Sequence, residues 1–503
     1  MPKKKQFLQA NKKKHIRKPE VGLRDMQFPM PGVDFEESGE KWRAGDAAKS
    51  ARFFTRAIET YETGLQIFPQ AFDLAYNRAR IQYDITQQPR LLHELHVLSN
   101  DLLQVALESH RYALIIKPDN TDLLFNTAQV LRSIAEALTL GATVSPENSV
   151  EALNSLDEAI ALFRRCLQLQ EEQFSQAESQ ARMMAAASMP VDDQEQLVSP
   201  QSPMSDASGQ EQWVSIEQPP DKDTLLDTSI ALVEALTDLC ALLPSQNNPW
   251  LPKIGELSKG LFEGGIAAYV EKQDRVLEFA LTKANLLSSF ADASFRAGNL
   301  DIHAYEDTLR TAFGDGLDIA HSPKGLCERA EAFQLLASTV CAQSLNEPSP
   351  GGSEVQWKYL TEALSDLKAA STLPGTKNLA KIHIRRGDCE LLRYRLGQLA
   401  PYHKAAQTNA ATLLRNAEVY YRGAFNSAQA ENLQQGEGLE ASMKEAVVIA
   451  HAGITEKLWN LFQKDMHEVS RLMEEMKDEV LISDELFDRL RTELTDALAA
   501  TQR

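Results

Sequence analysis

Two stretches of this chain repeat one spacing. Ala57, Tyr61, Gly64 and Pro69 stand at offsets 0, 4, 7 and 12, and Ala106, His110, Ala113 and Pro118 stand at the same offsets. Offsets of 4 and 7 put three side chains on one face of a 3.6-residue helix. The proline ends that helix, because it has no amide donor. Each stretch therefore predicts a helix that offers a small residue, a ring and another small residue to a neighbour, and then stops. A second helix is expected after each proline, over FDLAYNRARIQYD and over TDLLFNTAQVLRSIAEAL.

The spacing recurs. Ala159, Phe163 and Cys166 keep offsets 0, 4 and 7, with Glu171 in place of the proline, so this helix should run on through EEQFSQAESQARMMAAAS. Ala363, Leu367 and Ala370 repeat it with Pro374 one residue early, and Ala417, Tyr421 and Ala424 repeat it again. The matching opening helices would be GEKWRAGDAAKSA, AYNRARIQY, LLFNTAQVL and LAKIHIRRGDCELLRYRLG.

This small–aromatic–small–proline pattern in helix–turn–helix units resembles the tetratricopeptide repeat (TPR). The resemblance implies an all-α fold, a right-handed solenoid of stacked helix pairs. It places Gly45, Ala79, Ala128 and Gly387 at the small packing position of the opening helices. Successive alanine anchors lie 49 and 53 residues apart, against about 34 in the family. The surplus falls between the two helices of a pair, in DITQQPRLLHELHVLSN and GATVSPENSVEALN, which predicts looped insertions or longer helices.

Read in order, residues 1–34 lack periodicity, and Pro29 and Pro31 should hold them extended. Met26, Phe28 and Met30 alternate there, either as a strap over the first helices or as an exposed docking motif. Residues 35–188 carry the clearest repeats. Residues 189–222 are acidic and rich in Ser, Pro and Gln, the composition of a disordered insert. It offers Ser199 and Ser202, each before a proline, for phosphorylation, and a lone aromatic, Trp213. Residues 223–345 are divergent helical repeats, with Leu225, Ile230, Leu232, Val233, Leu236 and Leu239 on one buried face. A loop at 346–354 precedes repeats at 355–470, and 471–503 should form capping helices, which a solenoid needs at its end.

Charge is divided unevenly. The net charge is −19, yet Lys3, Lys4, Lys5, Lys12, Lys13, Lys14, Arg17 and Lys18 give residues 1–20 a net +7, leaving −26 on the rest. A basic tail on an acidic body suits an import signal or an RNA contact in the tail, and a basic protein as partner for the body. The five cysteines are scattered without a CxxC, against disulfides and a structural zinc, and imply a reducing compartment. No apolar run approaches the roughly 20 residues needed to span a bilayer, and the basic start has no apolar segment behind it, unlike a secretory signal.

Chemistry-bearing motifs are missing: there is no GxxxxGK[ST], GxGxxG after a strand, GxSxG or HExxH. His93 and His96 stand three apart without a third ligand nearby, and His110 fills a ring slot, which suits packing. The residues imply no enzyme, cofactor, metal or small-molecule substrate. The chaperone-binding members of the resembled family clamp a peptide's carboxylates with Lys, Asn and Arg on three opening helices. Here Asn77 fits and Lys41 could, but Gly45 stands where an asparagine is needed and TDLLFNTAQVL has no cation before Arg132, so that clamp is incomplete. By the same resemblance Asn77, Gln82, Asn126 and Gln129 would face the trough and hydrogen-bond a peptide backbone.

The expectation is a protein-binding adaptor or assembly chaperone, cytoplasmic or nuclear (nucleolar included), shielding a basic client such as a ribosomal protein. The alternatives are a scaffold subunit that binds through apolar faces, or an RNA-associated factor acting through the tail.

Overall fold

The computed structural model describes residues 31–139, 144–187, 219–245, 249–264, 266–270, 273–314, 316–344, 351–400, 402–431 and 436–501. Among these, every regular element is a helix: twenty α-helices and one 3-10 turn, with no strand. No described helix is long and apolar enough to cross a membrane. The described residues form two units, one holding those up to 134 and from 158 to 232, the other holding 135–157 and those from 233 onward.

In the first unit, α1 (Pro31–Trp42) and α2 (Ala47–Ile67) run antiparallel. Glycines seven apart on α1 meet rings seven apart on α2: a Cβ on Gly39 would stand 2.8 Å from the Phe54 ring, and one on Gly32 equally close to Tyr61 Cζ. The Asp46 side chain caps α2 by accepting from the Lys49 amide at 2.8 Å. Pro69 stops the helix after Phe68, and α3 (Phe72–Thr86) follows. Two expectations are corrected here. The chain is helical from Pro31, since a proline is well suited to a first helical turn. Gly45 packs nothing: it lies in the α1–α2 turn with open space around it.

The surplus between α3 and α5 (Ser99–Ile116) is a short helix, α4 (Pro89–Leu95), ended by His96 in a left-handed conformation. After α6 (Thr121–Thr139), most of the described part of the second surplus segment is helix, in line with the longer-helix alternative. Pro146 opens α7 (Pro146–Ala187), and the Ser145 hydroxyl accepts from the Asn148 amide. The 42 residues of α7 include the continuation foreseen past Glu171. The anchors Ala57, Tyr61, Ala106, His110, Ala113, Ala159, Phe163 and Cys166 are all buried, each at 0% exposure. Phe125 of α6 meets Phe163 of α7 edge-on at 5.4 Å. The Gln170 amide oxygen accepts from Thr228 of α8 (Lys222–Leu242) at 2.8 Å.

The second unit takes in the end of α8, then α9 (Trp250–Glu263), the 3-10 turn Ile266–Tyr269, α10 (Gln273–Arg296), α11 (Ile302–Ala312), α12 (Pro323–Ser344) and α13 (Gly352–Thr372). It continues through α14 (Leu379–Leu396), α15 (Lys404–Thr408), α16 (Ala410–Ala430) and α17 (Glu437–Ala450) to α18 (Glu456–Lys464), α19 (Met466–Asp478) and α20 (Asp484–Thr501). Gly352–Glu354, expected in a loop, open α13. Neighbouring helices pack in turn: α10 on α11 and α12, α12 on α13, α13 on α14, α14 on α16 and α16 on α17. Ala363, Leu367, Ala370, Ala417, Tyr421 and Ala424 are buried in this unit's core. The pattern blurs between 223 and 345 because the closing helices α9 and α11 span only 14 and 11 residues. The Arg296 guanidinium donates to the carbonyls of Cys240 and Leu243 at 2.9 and 2.6 Å, capping the end of α8.

Candidate functional site

The opening helices α3 and α6 differ from their partners in how they are buried. The closing helix α2 buries one stripe, whereas α3 buries residues on nearly every side, from Leu74 to Thr86. A helix enclosed in this way must bury polar side chains as well, and each then needs a partner. Between α3 and α6 that need is only partly met. Asn126 donates to the Tyr76 hydroxyl at 3.1 Å. Tyr83 donates to the Gln129 carbonyl and lies 3.2 Å from Ser133 Oγ. Asp122, Asn126, Gln129 and Ser133 stand at offsets 0, 4, 7 and 11, so they share the stripe of α6 that meets Tyr76 and Tyr83.

The four residues expected to line the trough all lie on these two helices, and all are buried: Asn77, Gln82, Asn126 and Gln129 are 1%, 4%, 0% and 4% exposed. Three of them keep a polar atom without a hydrogen-bond partner among the described residues: Asn77 Nδ2, Gln82 Oε1 and Gln129 Oε1. Gln170 Nε2 on α7 is in the same state. Each such atom costs on the order of 1–3 kcal/mol, and native chains rarely leave several together.

Two polar networks brace the opening helices, and the spacing pattern did not reveal them. In the first unit, the Tyr61 hydroxyl donates to Glu36 Oε1 at 2.5 Å, and Glu36 also pairs with Arg80 of α3. Burial and the Glu36 carboxylate push the Tyr61 hydroxyl pKa well above its ordinary value. In the second unit, Tyr421 donates to Asp388 Oδ1 at 2.8 Å, and the Lys444 ammonium of α17 sits 2.8 and 3.0 Å from the Asp388 oxygens. Burial raises the Asp388 pKa and Lys444 draws it back. The sequence signal was a tyrosine in the ring slot, since a buried phenol needs an acceptor nearby. His110 and Phe163, in the same slot, have no such acid.

Other candidates fall into packing roles. His110 is fully buried, its Nδ1 lies 2.7 Å from the Ala106 carbonyl oxygen, and burial lowers its pKa to about 4. The His93 side chain is 83% exposed, with its ring 6.3 Å from that of His96. Among the described residues no group of three His, Cys, Asp or Glu could hold a metal ion. All five cysteines are buried as free thiols, and burial raises the pKa of Cys327, Cys341 and Cys389, which keeps them protonated. The basic residues Lys3, Lys4, Lys5, Lys12, Lys13, Lys14, Arg17 and Lys18, the alternating Met26, Phe28 and Met30, the serines Ser199 and Ser202, and Trp213 lie outside the described residues.

No family model matches the chain. It is similar to the UPF0656 protein C926.02 of Schizosaccharomyces pombe, with 25% identity over 408 residues that span 78% of this chain and 82% of that protein. A shorter similarity links it to the Saccharomyces cerevisiae protein YNL193W, 26% identical over 172 residues, or 30% of each chain. The similarity to the fission-yeast protein thus covers most of the helical array.

Proposed function

We propose that this chain is a non-enzymatic binding protein of the tetratricopeptide type, a right-handed solenoid acting as an adaptor or assembly chaperone for a basic polypeptide such as a ribosomal protein. One observation carries the reading: Asn77, Gln82 and Gln129 hold unpartnered polar atoms on rigid, adjacent opening helices. These atoms are closed to solvent, so a client's extended backbone supplies the missing donors and acceptors only by entering between the helices, and the net −26 beyond residue 20 attracts a cationic client. The Lys-rich tail would then address the pair to the nucleus. An RNA contact is the other use of such a tail, tested by deleting residues 1–20.

The test is capture of partners from cell extract by the full chain and by an N77A/Q129A variant, at low and high salt, with the proteins identified by mass spectrometry. Basic proteins should be enriched, and should be lost both with the substitutions and at high salt. A captured set that neither change alters overturns the reading. It would favour a scaffold subunit instead, for which Ile67, Phe68 and Ile115, exposed at the ends of α2 and α5, supply apolar contacts.

A further inference from the structure

α14 carries a second set of polar side chains whose bonding is incomplete. His383, Arg386, Glu390 and Arg393 stand at offsets 0, 3, 7 and 10, on one side of the helix. Asn416, Tyr420 and Gly423 of α16 face them. Asn416 donates to Glu390 Oε1 at 3.2 Å, Arg386 Nη2 donates to the Tyr420 hydroxyl at 3.1 Å, and His383 lies beside Gly423.

Three arginines of this unit rest on rings, and two of them also hold a carboxylate. Arg329 sits over Phe333 and donates to both oxygens of Asp366, at 2.8 and 2.7 Å. Arg393 Cζ is 3.9 Å from the Trp357 ring centroid, and its Nη1 donates to Glu390 at 3.3 Å. Arg386 Cζ lies 4.2 Å from the Tyr420 centroid, yet it pairs with no carboxylate among the described residues. Glu390 does not fill that place, because it is 4% exposed and its oxygens are taken by Arg393 and Asn416. His383 adds no charge, since burial and then Arg386 lower its pKa.

The Arg386 guanidinium is half-buried and held twice by Tyr420, by the ring and by the hydroxyl. It spends one of its five N–H donors there, and the hydroxyl that accepts it keeps its own proton to donate. A fixed guanidinium loses little freedom when it binds. With the phenol it offers neighbouring donors to the two oxygens of one carboxylate. The single unmatched positive charge suits a carboxylate better than a phosphate, which carries nearly two negative charges.

We propose that Arg386 and Tyr420 form a docking site for an acidic peptide, taking one Asp or Glu carboxylate of a partner protein. The site is independent of the role proposed above, whose cationic client would be repelled by Arg386.

The test uses the full chain on an array of short synthetic peptides with Glu, Gln or phosphoserine at the centre and varied flanks. The strongest binders are then measured by fluorescence anisotropy. Glu peptides should bind about tenfold more tightly than their Gln counterparts, the gain from one charge-assisted pair. R386M and Y420F should each reduce that preference. R415A removes an exposed arginine of the same α16 and should leave it intact. Glu and Gln peptides bound alike, a preference lost equally in R415A, or binding confined to phosphoserine peptides overturns the proposal. Self-association that R386M abolishes, with no peptide bound, also overturns it and makes a second copy the occupant. Should R386M lower the unfolding midpoint, Y420F decides, since it keeps the ring: an unchanged Glu preference in Y420F overturns the proposal.

Discussion

Gly387 of α14 faces Tyr421 of α16 so closely that an added Cβ would stand 2.7 Å from Cζ and 2.8 Å from Cδ1. The ring cannot retreat, because it is fully buried and its hydroxyl is bonded to Asp388. A Gly387→Ala change gains about 1 kcal/mol of helix propensity and sets against it an overpacking cost of about 1–3 kcal/mol. The expected result is a net loss of about 1 kcal/mol in urea unfolding. Gly45→Ala, in open space, should shift stability by less than about 0.5 kcal/mol.

Lys444 is 2% exposed and Asp388 3%. Removing one partner strands the other charge, so Lys444→Met should cost about 3–5 kcal/mol. Combining it with Asp388→Asn should restore at least half of that loss. Urea titrations of the four chains in a double-mutant cycle give the coupling directly.

His110 sets a pH dependence. Its folded-state pKa is about 4 because it is buried, against 6.5 when exposed. The unfolded chain therefore takes up the proton first, and stability is lost as pH falls from about 6.5 toward 4. At about 1.4 kcal/mol per pH unit, the loss is on the order of 3 kcal/mol. His451, lowered to about 4 by burial and then by Arg489 and Arg395, acts in the same direction. His110→Phe should flatten part of the slope between pH 7 and pH 5 and leave the rest to His451, as read from unfolding midpoints at each pH.

Under the proposed function, the buried amides of α3 and α6 should trade stability for binding. Gln129→Met removes a buried acceptor that has no partner, so stability should hold or rise by about 1 kcal/mol. Binding of basic peptides should fall at least fivefold in the same variant. A parallel loss of stability and binding would mark Gln129 as a packing residue.

What could be read from the sequence follows the physics of each feature. A helical face is periodic, so Ala57, Tyr61 and Gly64 and their counterparts announce themselves, and all three copies in the first unit pack as expected. Gly45 misled because one glycine carries no register, whereas Gly32 and Gly39 pair with Tyr61 and Phe54 only once the antiparallel alignment of α1 and α2 is known. The Glu36–Arg80 and Asp388–Lys444 pairs span 44 and 56 residues. No local pattern encodes contacts at that separation. Asn77, Gln82, Asn126 and Gln129 fall on helices that the spacing predicts, but their burial depends on three-dimensional enclosure, which no local pattern encodes.

Arrays of this kind are often treated as interchangeable modules that can be cut out, duplicated or reordered. The tyrosine-anchored charge pairs restrict that freedom here. Excising α14 to α16 would leave the Lys444 ammonium inside α17 facing no Asp388, and excising α1 and α2 would do the same to Arg80. At these two places neighbouring helices are keyed by charge as well as by shape, and shape-matched consensus copies would not supply the missing partner.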